Sequence, residues 1–290
     1  MKRKTIGKIK KLVVIGLVTA LSITGLAACG GGNSETEVVG GSVVTAGSTS
    51  VQPLSEELAA VFMEANPDYT VDVQGGGSGQ GIKSIQEGIA DIGALSRNLK
   101  DEEKGEVSQE IVIALDGIAV VVNKDSEVKD LSLEQIKQIY TGEITNWKEV
   151  GGIDAPITVV TREEGSGTRG AFVEITKVMS KDAAGNEVDN TVATALIQPS
   201  TGSVKTTVSS TPNTIGYVSL GSLDDTVKSV MVEGVDASIE NVKAGTYKIS
   251  RPFIYVVGET VTEAAQMYLD FVLSDEGQAV VVDNGFISVK

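Results

Sequence analysis

The chain has 290 residues, 41% hydrophobic but only 4% aromatic, which is material for one large or two medium domains around a real core. Its formal charge is −15, and outside a leader holding Lys2, Arg3, Lys4, Lys8, Lys10 and Lys11 it carries 18 basic against 39 acidic residues. A body that acidic excludes nucleic acid as a partner, because phosphate backbones are bound by basic surfaces, yet it leaves room for a small anion held by local, oriented donors.

Behind the basic start, residues 12–28 form a mostly apolar run too short for a comfortable membrane span. It ends in Leu26, Ala27, Ala28 and Cys29, which resembles a bacterial lipobox. The resemblance implies a signal peptide over 1–28, cleavage before Cys29 and lipid attachment to its sulfur. Residues 29–42 are small and polar and read as a tether. Cys29 is the only cysteine, so the monomer has neither a disulfide framework nor a cysteine metal cluster. No metal and no cofactor are expected.

Folding begins with a strand at 43–46, followed by GSTS (47–50) and a helix with Leu54, Leu58, Val61 and Phe62 on one face and Pro53 in its first turn. A second strand, 69–74, runs into GGGSGQG (75–81) and a helix whose stripe is Ile82, Ile85 and Ile89. That glycine run matches neither a P-loop, which needs Gly-Lys-Ser/Thr, nor the dinucleotide fingerprint. A third strand, 91–94, leads to Ser96 and Arg97. The apolar run 111–123 predicts a strand buried on both faces, and Leu133, Ile136, Ile139 and Tyr140 predict a helix over 132–140.

The strand 157–161 then meets TREEGSGTRGAFVE (161–174), which opens a helix bearing Ala171, Phe172, Ile175, Val178 and Met179. Residues 180–190 read as a surface loop and 192–197 as ambiguous. Ser200 to Ser203 begin another helix, and the hydroxyls there read most simply as an N-cap. Strands at 214–218 and 248–257, the latter interrupted by Pro252, and helices at 262–273 and 276–282 complete the chain. Alternating strands and helices indicate α/β units whose ligands sit at strand C-terminal ends.

Three strand-to-helix junctions carry hydroxyls: Thr49 and Ser50, then Ser78, then Ser166 and Thr168 beside Gly167 and the permanent cation Arg162. Taken singly, each is an ordinary helix cap. Repeated, they describe a site for a small oxyanion, because free N–H groups and the positive dipole end point the same way at a helix mouth.

Segments 47–54, 74–85, 90–97, 140–152, 161–174 and 214–221 together resemble the phosphate-binding lipoprotein of bacterial phosphate ABC transporters. The resemblance implies an α/β periplasmic-binding-protein fold of type II, with two lobes joined by two crossover strands. Lobe one would comprise 43–118 plus 248–290, and lobe two 119–247. It implies inorganic phosphate bound by Thr49, Ser50 and Ser78 from one lobe, and by Arg162 as a bidentate guanidinium with Ser166, Gly167 and Thr168 from the other. Its partner would be a membrane permease, and the protein a monomer lipid-anchored through Cys29 on the outer face of the cytoplasmic membrane. Many family members carry an aspartate where this chain has Ser96. A serine hydroxyl can donate as well as accept, so the term that rejects sulfate is weakened, and Arg97 offers a second cation. Another oxyanion, sulfate or molybdate, is the alternative ligand. With no histidine a Ser-His triad is impossible, and the chain does not read as an enzyme.

Overall fold

The computed structural model describes residues 40–290; the leader, Cys29 and most of the tether lie outside the described residues. In chain order the first elements are β1 (Ser42–Gly47), α1 (Gln52–Ala65), β2 (Thr70–Gly75), α2 (Ser78–Gln86), β3 (Ile92–Leu95) and the 14-residue β4 (Gln109–Val122). Next come β5 (Asp130–Leu131), α3 (Leu133–Thr141), β6 (Thr158–Arg162), α4 (Gly167–Ile175), β7 (Met179–Lys181), β8 (Glu187–Asp189) and β9 (Leu196–Gln198). The chain ends with α5 (Thr201–Ser210), β10 (Thr214–Ser219), β11 (Lys228–Ser229), β12 (Met231–Val232), α6 (Ile239–Lys243), β13 (Ser250–Val257), α7 (Glu263–Val272) and α8 (Asp275–Asp283).

The main sheet runs β2-β1-β3-β13-β4-β10-β6-β9. β1 is parallel to β2 and β3, and β6 is parallel to β10 and β9, so each group gathers its C-terminal ends on one edge. Between the groups, β4 and β13 pair antiparallel over eight positions and carry the chain across. Each half has its own interior. Val43, Leu54, Phe62, Ile113, Phe253 and Tyr268 belong to one core, with Ile82, Leu95 and Ile254 on the opposite face of the same strands. Ile118, Tyr140, Phe172, Tyr217 and Ile249 build the other, with Val121, Val160 and Val204 behind it. The fold is therefore a two-lobed α/β structure in which two strands cross between the cores.

Aromatics are few, and they anchor the helices. Phe62 of α1 meets Tyr268 of α7 edge-on at 5.2 Å between ring centroids, and Phe172 of α4 stacks on Tyr217 of β10 at 4.0 Å. Each such buried ring contributes on the order of 2–3 kcal/mol through area removed from water.

Several expectations need correction. The run 111–123 is not buried on both faces throughout: Val112 and Leu115 face solvent, because only the second half of β4 has helices on both sides. Ile89 lies beyond the end of α2 and is exposed. α4 stops at Ile175 because the backbone turns left-handed at Lys177 (φ 62°); Val178 is buried from outside the helix and Met179 starts a strand. Residues 179–189 form a small antiparallel hairpin rather than a loop. Pro252 does not interrupt β13; it pairs opposite Leu115, and the strand absorbs it with a register shift between Phe253 and Ile254.

Candidate functional site

The sheet edges where β1, β2 and β3 end, and where β6 and β9 end, face one another. The strand C-termini deliver Thr49 and Ser50 after β1, Ser78 after β2, Ser96 after β3 and Arg162 at the end of β6. Among the described α-helices, α1 and α2 alone start without a side-chain cap, whereas α3 to α8 are each capped by their own Ser or Thr. No side chain caps these two mouths. At α1 the Gln52 N–H donates to the Ser48 carbonyl and Pro53 has no N–H, and at α2 the Gly79 N–H donates to the Gly165 carbonyl, leaving the remaining first-turn N–H groups without a capping side chain.

The hydroxyls form one buried network that spans both halves. Ser50 Oγ lies 2.7 Å from Thr168 Oγ1 and 2.8 Å from Thr201 Oγ1. Ser48 Oγ donates to Ser96 Oγ at 2.8 Å, and the Ser96 N–H donates to Ser78 Oγ at 3.1 Å. Gly167 must be glycine here, because a Cβ would collide with Ser78 Oγ and crowd Ser96 Oγ. The halves also touch through backbone: the Gly79 N–H donates to the Gly165 carbonyl at 3.0 Å. This is the closed arrangement of the two lobes.

Arg162 is 1% exposed, and its guanidinium is fixed on every side. Nε and Nη2 donate to the two oxygens of Glu163, both at 2.8 Å. Nη1 donates to Thr201 Oγ1 at 3.1 Å and Nη2 to Thr49 Oγ1 at 3.0 Å. The edge that Arg162 turns toward the hydroxyls is therefore Nη1–Nη2, since Glu163 holds the other. Behind it, the Arg162 N–H and Thr161 Oγ1 both bond the Tyr217 hydroxyl, whose ring carries Phe172. Burial pushes the Tyr217 phenol up to about 12, so it stays protonated.

The sequence-derived residues divide. Thr49, Ser50, Ser78, Ser96, Arg162, Gly167 and Thr168 come together. Ser166 is buried as well, but its Oγ accepts from the Arg169 N–H and caps its own helix rather than bonding into the hydroxyl network. Arg97 turns away: Nη1 and Nη2 each donate to a Glu103 oxygen at 2.6 Å, and Nη1 also bonds the Asn98 carbonyl. Its stem lies across α4, where a side chain at Gly170 would stand 3.2 Å from Arg97 Cδ. Arg97 is thus an ion-paired contact between the halves and lies outside the hydroxyl cluster. Sequence reasoning passed over Ser48, which sits in the GSTS loop, and Thr201, whose strand–loop–helix setting repeats that of the other junctions.

Burial lifts the Glu103 carboxyl, but hydrogen bonds from Arg97 and the Lys100 N–H together with the Arg97 charge outweigh it, so its pKa lies below the ordinary carboxylate value. A depressed folded-state pKa gives stability that is complete above the unfolded value of about 4.3 and is lost as pH falls through the folded one. Glu103→Gln should therefore lower unfolding stability by about 2 kcal/mol at neutral pH. In denaturant melts, the gap between variant and parent should close below about pH 4.

Under the hydroxyl cluster lies a second charged unit. Arg251 of β13 and Asp116 of β4, directly opposed in register, pair at 2.9 Å with side chains 1% and 0% exposed. Asp116 also accepts from Ser219 Oγ, and Arg251 Nη1 donates to the Ser96 carbonyl at 3.1 Å. Burial raises the Asp116 carboxyl and lowers the Arg251 guanidinium, each opposed by the other's charge. Among the described residues no buried side-chain polar atom lacks a partner.

Comparison with known proteins agrees with this geometry. Residues 32–276 match the family model of the PBP superfamily domain. The chain is 37% identical to phosphate-binding protein PstS of Bacillus subtilis over 298 aligned positions, covering 97% of this chain and 95% of that one. A crystal structure of a phosphate ABC transporter substrate-binding protein with bound phosphate from Clostridium perfringens superimposes with a TM-score of 0.80 at 46% identity, covering 86% of this chain and all of that one. An ABC-type phosphate transport receptor from Vibrio cholerae gives a TM-score of 0.70 at 36% identity, covering 84% of this chain and 99% of that one. With a family model over most of its length and a relative matched nearly end to end, the chain belongs to the PstS family of phosphate-binding proteins within the PBP superfamily.

Proposed function

We propose that this protein captures inorganic phosphate between its lobes, outside the cytoplasm, and hands it to the permease of an ABC transporter. The observation that carries the reading is the buried network joining Ser50, Ser96, Thr168 and Arg162 across the two halves, in a chain that is a member of the PstS family. Thr49, Ser50, Ser78 and Ser96 serve from lobe one, and Arg162, Ser166, Gly167 and Thr168 from lobe two. Lobe one is residues 43–118 with 248–290 and lobe two is 119–247; most core residues divide accordingly, while Ile118, Ile249 and Ile287, within the lobe-one ranges, pack in the second core.

Binding is capture by closure. A dianion that takes donors from both lobes replaces the hydroxyl-to-hydroxyl bonds now joining them, and closing removes it from water against fixed N–H and O–H groups. Because the anion gains all of these donors only when the lobes are shut, it selects the closed form, the shape a permease can read. No chemical step is involved, and the protein works as a receptor rather than an enzyme. It acts as a monomer, held at the membrane by lipid on Cys29; among the described residues no helix is long and apolar enough to cross a membrane.

The selectivity of the site follows from its carboxylates. Those joined to the network, Glu163 and Asp116, are each engaged by a guanidinium, and Ser96 offers a hydroxyl where an acceptor-only group would reject a fully deprotonated anion. Calorimetric titration of the detergent-solubilised full chain near neutral pH should show phosphate binding, with sulfate competing at higher concentration. Absence of phosphate binding would overturn the reading; phosphate binding untouched by a large excess of sulfate would overturn the role given to Ser96.

A further inference from the structure

Thr201 belongs to none of the segments that mark the family resemblance, yet it occupies the centre of the network. It is the first residue of α5, a helix placed at the C-terminal end of β9, and β9 lies beside β6 in parallel register with Gln198 opposite Arg162. The fold therefore puts a fourth strand-to-helix junction against the other three. Ser200 caps α5, accepting from the Ser203 N–H, so the Thr201 hydroxyl has no capping duty. It is 3% exposed and reaches both halves of the molecule: Arg162 Nη1 donates to it at 3.1 Å, and Ser50 Oγ lies 2.8 Å away. The Thr201 N–H in turn donates to Thr49 Oγ1 at 3.3 Å, the same oxygen that receives Arg162 Nη2.

The chemistry of this ring gives the hydroxyl a direction. A threonine oxygen accepts at two lone pairs and donates one proton. With one lone pair filled by the Arg162 guanidinium, the proton of Thr201 is free to point to the side of Ser50 and Thr168, where the donors of both lobes meet. On its other side, Thr201 and Thr49 line a crevice of about 350 Å³ that also holds Lys205 and Asp224. Thr201 thus stands between the buried cluster and an approach from the surface.

We propose that Thr201 is a further ligand of the captured anion, donating its hydroxyl from the mouth of α5, and that together with Thr49 it sets the orientation of the Arg162 guanidinium. The proposal rests on the phosphate reading. It gives the second lobe a hydroxyl donor from a second helix, so the anion is gripped by α5 as well as α4.

Thr201→Val removes the hydroxyl at nearly constant shape, and Thr201→Ser keeps it. In phosphate titrations of the full chain, Thr201→Val should bind about ten- to a hundredfold more weakly than the parent, with Thr201→Ser within about threefold of it. Equal binding by parent and Thr201→Val would overturn the proposal, as would Thr201→Ser binding as weakly as Thr201→Val, since shape rather than the hydroxyl would then matter. Near-ultraviolet circular dichroism of each variant establishes that it is folded. If the parent itself binds no phosphate, the phosphate reading fails, and the same three proteins are titrated with sulfate and molybdate. Loss in Thr201→Val alone would then uphold Thr201 as an anion ligand, whereas equal affinities, or no binding by any of the three proteins, would overturn it.

Discussion

Replacing Arg162 by alanine should weaken phosphate binding by about a hundred- to a thousandfold, the loss expected when one partner of a buried, hydrogen-bonded charge contact is removed. Three effects act together. The only guanidinium among the described residues that bonds the clustered hydroxyls is lost, Thr49 and Thr201 lose the donor that orients them, and the Glu163 carboxylate is left without its partner beside an incoming dianion. Arg162→Lys should recover little of this, because a single ammonium cannot hold Glu163, Thr49 and Thr201 at once. Adding Glu163→Gln to Arg162→Ala should regain part of the loss by removing the like charge. The check is calorimetry on the single and double variants. An Arg162→Ala protein with parental affinity would place the anion elsewhere, and a double variant no better than the single would exclude repulsion by Glu163.

Asp116→Leu, with the rest of the chain intact, should cost about 3–5 kcal/mol of unfolding stability, since it leaves the Arg251 charge buried with no counter-ion. The double change Asp116→Leu with Arg251→Met should cost far less, because the desolvation of both ions is then avoided. Urea unfolding of the parent and the two variants forms the test, and roughly equal losses for the single and double variants would show that the pair does not act as a unit. The double variant should still bind phosphate less well than the parent. Arg251 holds the Ser96 carbonyl, and Asp116 ties β4 to Ser219 at the end of β10, so the pair joins the crossing strands to both halves of the site.

Much of this architecture is legible along the chain because its signals are local. Alternating apolar periods mark β1, α1, β2, α2 and β6, and the hydroxyl-bearing loops at 47–50, 75–81 and 165–168 announce helix mouths. Where reading failed, the deciding contact came from distant residues. Arg97 follows Ser96 immediately and looks like a second cation for the site, but Glu103 takes its guanidinium and Gly170 gives its stem a path away. Thr201 looks like one more hydroxyl in a cap, and only the parallel pairing of β9 with β6 brings it to Arg162. Asp116 and Arg251 are 135 positions apart, and nothing local pairs them.

By itself, then, the sequence determined the α/β class, the impossibility of a Ser-His triad or of a disulfide or cysteine metal cluster in the monomer, the acidic body and the oxyanion character of its loops. Those properties follow from residue type and short-range spacing, which act wherever the chain goes. Tertiary structure alone decided which donors converge, that Glu163 claims one edge of Arg162, and that a buried ion pair lies beneath Ser96. These depend on strand order and register, and register is set by burial of whole sheet faces rather than by any single residue.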